Sequence, residues 1–184
     1  MRVARLDPEL QPMLASLVDA PLADPALVYE PKYDGIRAIA EIAPRGTVRL
    51  WSRLGNEKTN QFPEIAAALG DWAKARKQPV VLDGEIVALD ANGEPTGFQQ
   101  LQGRIHLADA SGPARRSRSS RPSSPTPASR VAFIVFDILR DGTTDFRDRL
   151  LRERRAALER VFGRTGSPAL RISDQVRGDG AGSA

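Results

Sequence analysis

The sequence predicts an α+β domain. Short runs with the length and residue types of strands occur at 27–30, 36–42, 47–51, 80–89 and 131–139. Separate stretches predict helices at 8–18, 63–76, 98–105 and 150–162. Several short strands mixed with separated helices are typical of α+β architecture. A length of 184 residues suffices for one ordinary core and hardly for two.

Turn-forming residues separate the first elements. Pro31 keeps the end of the 27–30 strand extended. The Ala-Pro-Arg-Gly turn at 43–46 joins the next two strands into a hairpin. The 63–76 helix is amphipathic, because its large apolar residues fall on one face, at Ile65, Leu69 and Trp72.

The second half contains the most strongly strand-forming segment. The 80–89 stretch predicts two buried strands that are interrupted at Asp83-Gly84 and closed by an Asn-Gly turn. The 131–139 stretch, VAFIVFDIL, is the strongest strand of the chain and ends at an Asp-Gly turn. Residues 177–184 predict a frayed end.

Composition excludes several kinds of chemistry. The chain has no cysteine, which excludes disulfides and thiol nucleophiles, and its single histidine, His106, leaves little room for a histidine metal site. No apolar run approaches the roughly 18 residues of a membrane span. The first residues lack the apolar centre of a signal peptide. We therefore expect a cytoplasmic protein with no membrane partner.

One segment carries the excess positive charge. The net charge is +4, yet residues 111–130 contain five arginines and no acidic residue, so the rest of the chain carries −1. The Ser, Pro and Arg content of this segment, without large apolar residues, predicts disorder. Two roles stay open for it: a flexible insertion without a binding role, or a non-specific tether to nucleic-acid phosphates.

The first candidate site surrounds a lysine. The chain has four lysines, and Lys32 lies at the end of a strand before a glycine turn, in the stretch EPKYDGIR at 30–37. A lysine amine becomes a nucleophile when desolvation or nearby positive charge removes its proton. Asp34 and Arg37 beside it would hold a polar ligand. Taken alone, the stretch fits equally well a surface hairpin with alternating charges.

Three further motifs are candidates for ligand contacts. Asp83-Gly84-Glu85 places two carboxylates in a half-buried strand, where Mg²⁺ or a ribose diol would satisfy them; a β-bulge with solvated carboxylates is the alternative. Phe136, near a strand end, would stack a purine, although core packing is the usual role of a strand phenylalanine. Arg53, in a Ser-Arg-Leu-Gly turn, would grip a phosphate.

The order and spacing of these motifs resemble the ATP-dependent DNA ligases, within the nucleotidyltransferase superfamily that also contains RNA ligases and capping enzymes. The superfamily's first motif, Lys-x-Asp-Gly-x-Arg, is present as KYDGIR, and SRLG, LDGE and FIVFD follow in the expected order. The flanking residues MLASLV, QFPEI and FQQLQGRIH are most similar to the ligase domain of bacterial end-joining ligases. The resemblance covers residues 11–177, with a break at the Ser/Pro/Arg segment. It implies an ATP-grasp-like fold, with two antiparallel sheets flanked by helices and ATP between them.

The resemblance also implies a role for each motif. Lys32 would attack the α-phosphorus of ATP, and the AMP would then pass to the 5′-phosphate of nicked or broken double-stranded DNA, with end-joining factors as partners. Four residues would contact the nucleotide, namely Glu30 near the adenine, Phe136 stacked on it, and Arg37 with Glu85 at the ribose. Glu85 is also the candidate Mg²⁺ ligand, and Arg53 would meet the DNA 5′-phosphate. The supporting residues would be Asp34, Gly35 and Asp83.

Two later motifs of the superfamily have no counterpart in these residues. They supply a metal-binding glutamate in a Glu-Gly pair and two lysines at the α-phosphate, whereas the last lysine here is Lys77 and the last glutamate is Glu159. The oligonucleotide-binding barrel that usually follows is not found either. We therefore expect a partial adenylation domain over 1–184 that adenylates itself poorly or not at all. Two alternatives stay open: a remnant that only binds nucleotide or DNA, or an RNA ligase or capping enzyme.

Overall fold

The computed structural model describes residues 24–102, 104, 130–163 and 165–178, and four isolated positions before them, at 10, 12, 13 and 16. The helix predicted at 8–18 therefore lies mostly outside the described residues. The disorder predicted for the 111–130 segment lies outside them too, apart from Arg130.

The described residues form two sheets and two α-helices. The strands are Val28–Tyr29 (β1), Ile36–Ile42 (β2), Val48–Ser52 (β3), Val80–Leu89 (β4), Pro95–Thr96 (β5), Val131–Asp141 (β6), Thr144–Asp145 (β7), Leu170–Ile172 (β8) and Val176–Arg177 (β9). The helices are Pro63–Ala73 (α1) and Leu151–Phe162 (α2). The larger sheet has the order β3-β2-β4-β6-β7, with β5 on β4 and β8 on β6, and β1 and β9 form the smaller one. Among these described strands only β6 and β8 pair in parallel, and the predicted α+β architecture is confirmed.

The predicted hairpin is confirmed as β2 and β3. Arg45 and Gly46 in its turn have φ of 67° and 92°, in the left-handed region. A Cβ on Gly46 would lie 2.5 Å from the carbonyl oxygen of Gly70 in α1. The glycine therefore lets the turn rest directly on the helix, which fixes the hairpin against α1.

The prediction of two strands at 80–89 is wrong, because β4 runs through Asp83-Gly84 without interruption. Its register against β6 shifts at this point, and a Cβ on Gly84 would lie 2.5 Å from the carbonyl oxygen of Ile134 and 2.7 Å from the Phe133 ring. The glycine thus permits a close approach of two strands instead of ending one. The resulting bulge leaves Phe136 without a register partner on β4.

Other boundaries differ modestly from prediction. β6 is two residues longer than the 131–139 segment, and α1 ends at Ala73. The 98–105 stretch contains a short 3₁₀ helix at Phe98–Leu101. The frayed end predicted from 177 is wrong for its first two residues, since Arg177 lies in β9 and the next glycine is buried. Residues 179–184 lie outside the described part of the chain.

The two faces of the larger sheet differ. The helix face, which packs against α1 and α2, forms one apolar core; its largest fully buried members are Phe62, Phe133, Phe162, Ile42, Leu50, Ile65, Leu69, Leu82 and Ile86. The opposite face carries two smaller apolar clusters. One comprises Leu10, Ile39, Trp51, Val81 and Leu139, and the other comprises Val87, Leu89, Ala132 and Ile134. Polar residues of β2 and β4 occupy the space between these clusters.

Candidate functional site

The centre of the opposite face is an ion pair between β2 and β4. The register places Arg37 across from Glu85, and its guanidinium reaches diagonally to Asp83. Arg37 Nε and Nη2 donate to the two Asp83 carboxylate oxygens at 3.1 and 2.7 Å. Asp83 is only 2% exposed. Such a bidentate pair fixes the orientation of the guanidinium as well as its position.

Because Asp83 is buried, its charged form depends on Arg37. Burial raises the pKa of Asp83, and the hydrogen bonds and charge of Arg37 limit that rise. The alternative of a bulge with solvated carboxylates is therefore wrong for Asp83. Gly84 does lie at a register shift, so the bulge itself is present.

Arg37 also lies over an aromatic ring. Its guanidinium carbon is 5.3 Å from the centroid of the half-buried Phe136, within the range of a cation–π contact. Arg37 Nη1 donates to the carbonyl oxygen of Met13 at 2.9 Å. Phe136 is therefore on the opposite face, separate from the apolar core that contains its neighbours Phe133 and Val135.

Glu85 is a half-buried carboxylate with few partners. Its Oε1 accepts a hydrogen bond from the backbone N–H of Gly35 at 3.2 Å. Burial raises the pKa of Glu85 to about 7, although this bond and the charges of Arg37 and Lys32 oppose the rise. A Cβ on Gly35 would lie 2.2 Å from the carbonyl oxygen of Ile86, so only glycine allows the loop to approach β4 this closely.

Lys32 is exposed, and the residues that follow it attach its loop to the rest of the domain. Tyr33 packs against the apolar cluster that contains Val87 and Ile134. Asp34 accepts a hydrogen bond from the backbone N–H of Phe98 at 3.1 Å. These contacts, with the Gly35 bond to β4, attach the loop beside the polar centre, where the charge of Lys32 acts on Glu85. Lys32 itself stays accessible.

Two predicted site residues lie further out. Glu30 is exposed, and its Oε1 accepts a hydrogen bond from Gln175 Nε2 at 2.6 Å. Arg53 is exposed in the Ser52–Asn56 turn that follows β3. The structure therefore brings together Arg37, Asp83, Glu85 and Phe136, with the Lys32 loop attached beside them. Arg53 is exposed in a turn one residue beyond Ser52, which pairs with Ala38.

Comparisons with known proteins identify the family of this chain. A sequence profile of the ATP-dependent DNA ligase domain matches residues 12–180. The chain belongs to this ligase family. DNA ligase C of Mycobacterium tuberculosis is 40% identical over 162 residues, which are 88% of this chain and 40% of that relative. The multifunctional non-homologous end joining protein LigD of Pseudomonas aeruginosa is 32% identical over 92% of this chain and 17% of its own length.

Solved structures of ligases have the same fold. The ligase domain of Mycobacterium tuberculosis LigD matches with a TM-score of 0.58 and 32% identity, over 84% of this chain and 42% of that one. A mycobacterial DNA ligase D complexed with ATP and MES matches with a TM-score of 0.56 and 31% identity, over 84% of this chain and 41% of that one. The resemblance of the motifs to ATP-dependent DNA ligases is thus confirmed. The chain spans about two fifths of DNA ligase C and less than a fifth of LigD.

Two side-chain contacts near the candidate site are missing from the sequence prediction. Arg154 in α2 donates from Nε to both carboxylate oxygens of Asp137, at 2.9 and 3.0 Å. Gln175 reaches Glu30 across 145 positions of the chain. A signal for Arg154 does exist, because it shares the apolar stripe of α2 with Ala157 and Leu158 at helical spacing. No local signal marks Gln175.

Neither a metal centre nor a membrane span is found where the structure can be described. Within the described ranges, no group of three or more His, Cys, Asp or Glu side chains is arranged to hold a metal ion. No helix in those ranges is long and apolar enough to cross a membrane. That Glu85 binds Mg²⁺ stays a prediction from the sequence.

Proposed function

We propose that this chain binds ATP at the polar centre of the opposite face and presents Lys32 as the nucleophile for adenylation. The observation that supports this most is the attachment of the Lys32 loop beside Arg37 and Glu85, in a chain of the ATP-dependent DNA ligase domain family. A related ligase, 31% identical, is described as a complex with ATP.

The donors and acceptors of the site fit a nucleotide. The Glu85 carboxylate is half-buried and accepts one backbone hydrogen bond, so the hydroxyls of a ribose would supply the donors that it lacks. Phe136 offers an aromatic surface for the purine, and Glu30 would accept from its exocyclic amine. Arg37 is already fixed by Asp83 and would orient the sugar.

Mg²⁺ fits this site only if the phosphates of the nucleotide supply part of its coordination. Asp83 is engaged by Arg37, which leaves Glu85 as the one carboxylate of the polar centre without a cationic partner at hydrogen-bond distance. Mg²⁺ commonly binds through one or two carboxylates together with substrate phosphates and water. When bound, it would neutralise charge on the phosphates.

The reaction at Lys32 is a phosphoryl transfer. The deprotonated Nζ attacks the α-phosphorus, the bond from that phosphorus to the bridging oxygen breaks, and pyrophosphate leaves. The product is a phosphoramidate between Lys32 and AMP, with the amine proton released to solvent. Positioning and charge neutralisation supply most of the catalysis of such transfers.

DNA is the proposed acceptor. AMP would pass to the 5′-phosphate at a nick or break, where Arg53 would bind the phosphate, and attack by the 3′-hydroxyl would seal the strand and release AMP. Several relatives are named as non-homologous end joining proteins, which supports a role in the repair of DNA breaks. End-joining factors would then be the protein partners.

Radiolabelled ATP tests this proposal on the whole 184-residue chain. We expect ATP to bind, and a slow covalent label that disappears in Lys32→Ala but persists in Lys74→Ala, a matched exposed lysine paired with Asp71. Rapid labelling would overturn the expected poor self-adenylation while supporting the role of Lys32. Binding without any label would favour a remnant that only binds nucleotide, and preferential labelling with GTP or transfer to RNA would favour the RNA ligase and capping alternatives.

A further inference from the structure

Four charged side chains follow one another from β2 through β4 and β6 to α2. Arg37 of β2 pairs with Asp83 of β4, whose register partner on β6 is Asp137, and Asp137 pairs with Arg154 of α2. The order of charges along this series is positive, negative, negative, positive. The two aspartates are register partners on neighbouring strands, and each carboxylate is bound by its own arginine.

The ion pair between Arg154 and Asp137 is mostly buried, as is the pair between Arg37 and Asp83. Arg154 is buried, and the side chains of Arg154 and Asp137 are only 11% and 15% exposed. Arg154 Nη1 also donates to the carbonyl oxygen of Arg149 at 2.7 Å, and Asp137 Oδ1 accepts from the N–H of Ile138 at 2.9 Å. These bonds fix both partners, so the Asp137 carboxylate stays directed towards α2.

The two pairs influence each other electrostatically. The charge of Asp137 contributes to a raised pKa of Asp83, although burial is the larger cause. It also favours the charged form of Arg37. An Asp137 carboxylate without its own cation would thus compete with Asp83 for Arg37, since opposite charges attract strongly where water is excluded.

We propose that Arg154 is a positioning residue for the nucleotide site: by pairing with Asp137, it leaves Arg37 bound to Asp83 and over the Phe136 ring. This inference rests on the proposed function, because the site that Arg154 organises is the proposed ATP site. Arg154 itself would not touch the nucleotide. It acts from α2 through one carboxylate of β6.

A purely structural role of Arg154 is the alternative, and the chain offers a matched control. Arg76 pairs with Asp141 at the other end of β6 at 2.5 Å, and these side chains are 21% and 27% exposed. Arg76 also lies over an aromatic ring, 5.0 Å from the centroid of Trp72. Its loss would remove an ion pair of β6 without freeing a carboxylate beside Arg37.

The test is an NMR measurement of the Arg37 Nε–H signal in the whole chain, together with the ATP dissociation constant. In Arg154→Met we expect the Arg37 signal to shift or broaden and ATP affinity to fall about tenfold. In Arg76→Met we expect the Arg37 signal to be unchanged and affinity to stay within about twofold, at a comparable loss of Tm. In Arg154→Met with Asp137→Asn, the competing charge is gone, so the signal and the affinity should return.

Three results would overturn the inference. They are an unchanged Arg37 signal in Arg154→Met, an equal change in Arg76→Met, or no recovery in the folded double variant. If Arg154→Met does not fold, the double variant and Arg154→Lys take its place, and loss of the Arg37 signal in either one contradicts the proposal. If the unaltered chain does not bind ATP, the proposed function fails, whereas the Arg37 signal still decides the role of Arg154.

Discussion

The two faces of the larger sheet are built from the same strands and do different things. On the helix face, Leu82 and Phe133 belong to one apolar core covered by α1 and α2. On the opposite face, their near neighbours Asp83 and Phe136 belong to a polar centre between two small apolar clusters. Because side chains alternate along a strand, a rigid core on one face positions a site on the other.

The difference teaches where burial is favourable and where it is costly. The helix face is stabilised by removing apolar surface from water. The opposite face buries Asp83 and half-buries Glu85, which costs free energy unless each charge has a partner. Arg37 is the partner of the first, whereas the second has one backbone N–H. The face that carries the proposed chemistry therefore contributes less to the stability of the fold than the helix face does.

The largest expected effects come from two phenylalanines three positions apart in β6. Phe133→Ala removes a fully buried ring from the helix face and should lower the free energy of unfolding by about 3–5 kcal/mol. Phe136→Ala should cost roughly 1 kcal/mol of stability but weaken ATP binding about tenfold or more, because it removes the proposed stacking surface. Urea denaturation and isothermal titration calorimetry measure both quantities, and similar profiles for the two variants would contradict the division between the faces.

A smaller effect is expected from breaking the ion pair of the opposite face. Arg37→Met leaves the Asp83 carboxylate buried without a cation and should cost about 3 kcal/mol at pH 7. The loss should shrink at low pH, where the raised pKa of Asp83 lets that carboxyl become neutral. Urea denaturation at several pH values measures this dependence. Asp83→Asn in the same chain should restore part of the stability, and no recovery would mean that Arg37 contributes through packing instead.

The third prediction concerns Glu85 and pH. Its pKa in the folded chain is raised to about 7, above its ordinary value of 4.5, so folding favours the protonated carboxyl. The stability that this group contributes is present below pH 4.5 and is lost as the pH rises through about 7. Glu85→Gln should therefore be more stable than the unaltered chain at pH 8 by on the order of 1–2 kcal/mol, after allowance for its partial exposure, and the two should converge at pH 4.

Thermal unfolding from pH 4 to pH 8 measures this difference. The exposed Glu94 offers a control, since Glu94→Gln should show no such trend. An equal pH trend in both variants would mean that the partial burial of Glu85 is not its cause.

The smallest effect is expected from the arginine-rich segment, which lies outside the described residues apart from Arg130. Deletion of 111–129 removes four positive charges. We expect the salt dependence of DNA binding to stay unchanged, as for a flexible insertion. A clearly weaker salt dependence, measured by titration at several salt concentrations, would favour the phosphate tether.

Local patterns predict most of the fold and the centre of the site. The alternation of apolar and polar residues predicts the strands, and the turn at 43–46 predicts the hairpin. The motif KYDGIR identifies Lys32 and Arg37 as site residues. Contacts between distant segments could not be predicted. The bond from Gln175 to Glu30 depends on the pairing of β1 with β9, and the bond from Arg154 to Asp137 depends on how α2 packs on β6.

The glycine of the Asp-Gly-Glu motif explains the wrong prediction for β4. Glycine often interrupts strands, and the sequence alone does not say whether its missing side chain ends a strand or admits a neighbour. Here Gly84 faces the Phe133 ring and the Ile134 carbonyl oxygen, so the second role applies. The distinction depends on which residues lie across the sheet.

The pairing of β1 with β9 has a consequence for the order in which the molecule assembles. Val28 and Tyr29, just before the Lys32 loop, pair with Arg177 and Val176 at the far end of the described chain. On the ribosome, the proposed nucleophile is thus made before the rest of the site, but the strand that leads to it has no partner until nearly all of these residues have emerged. Contacts between such distant segments form late and slowly. The lysine proposed as the nucleophile is therefore among the first parts of the site to be synthesised and among the last to reach its final place.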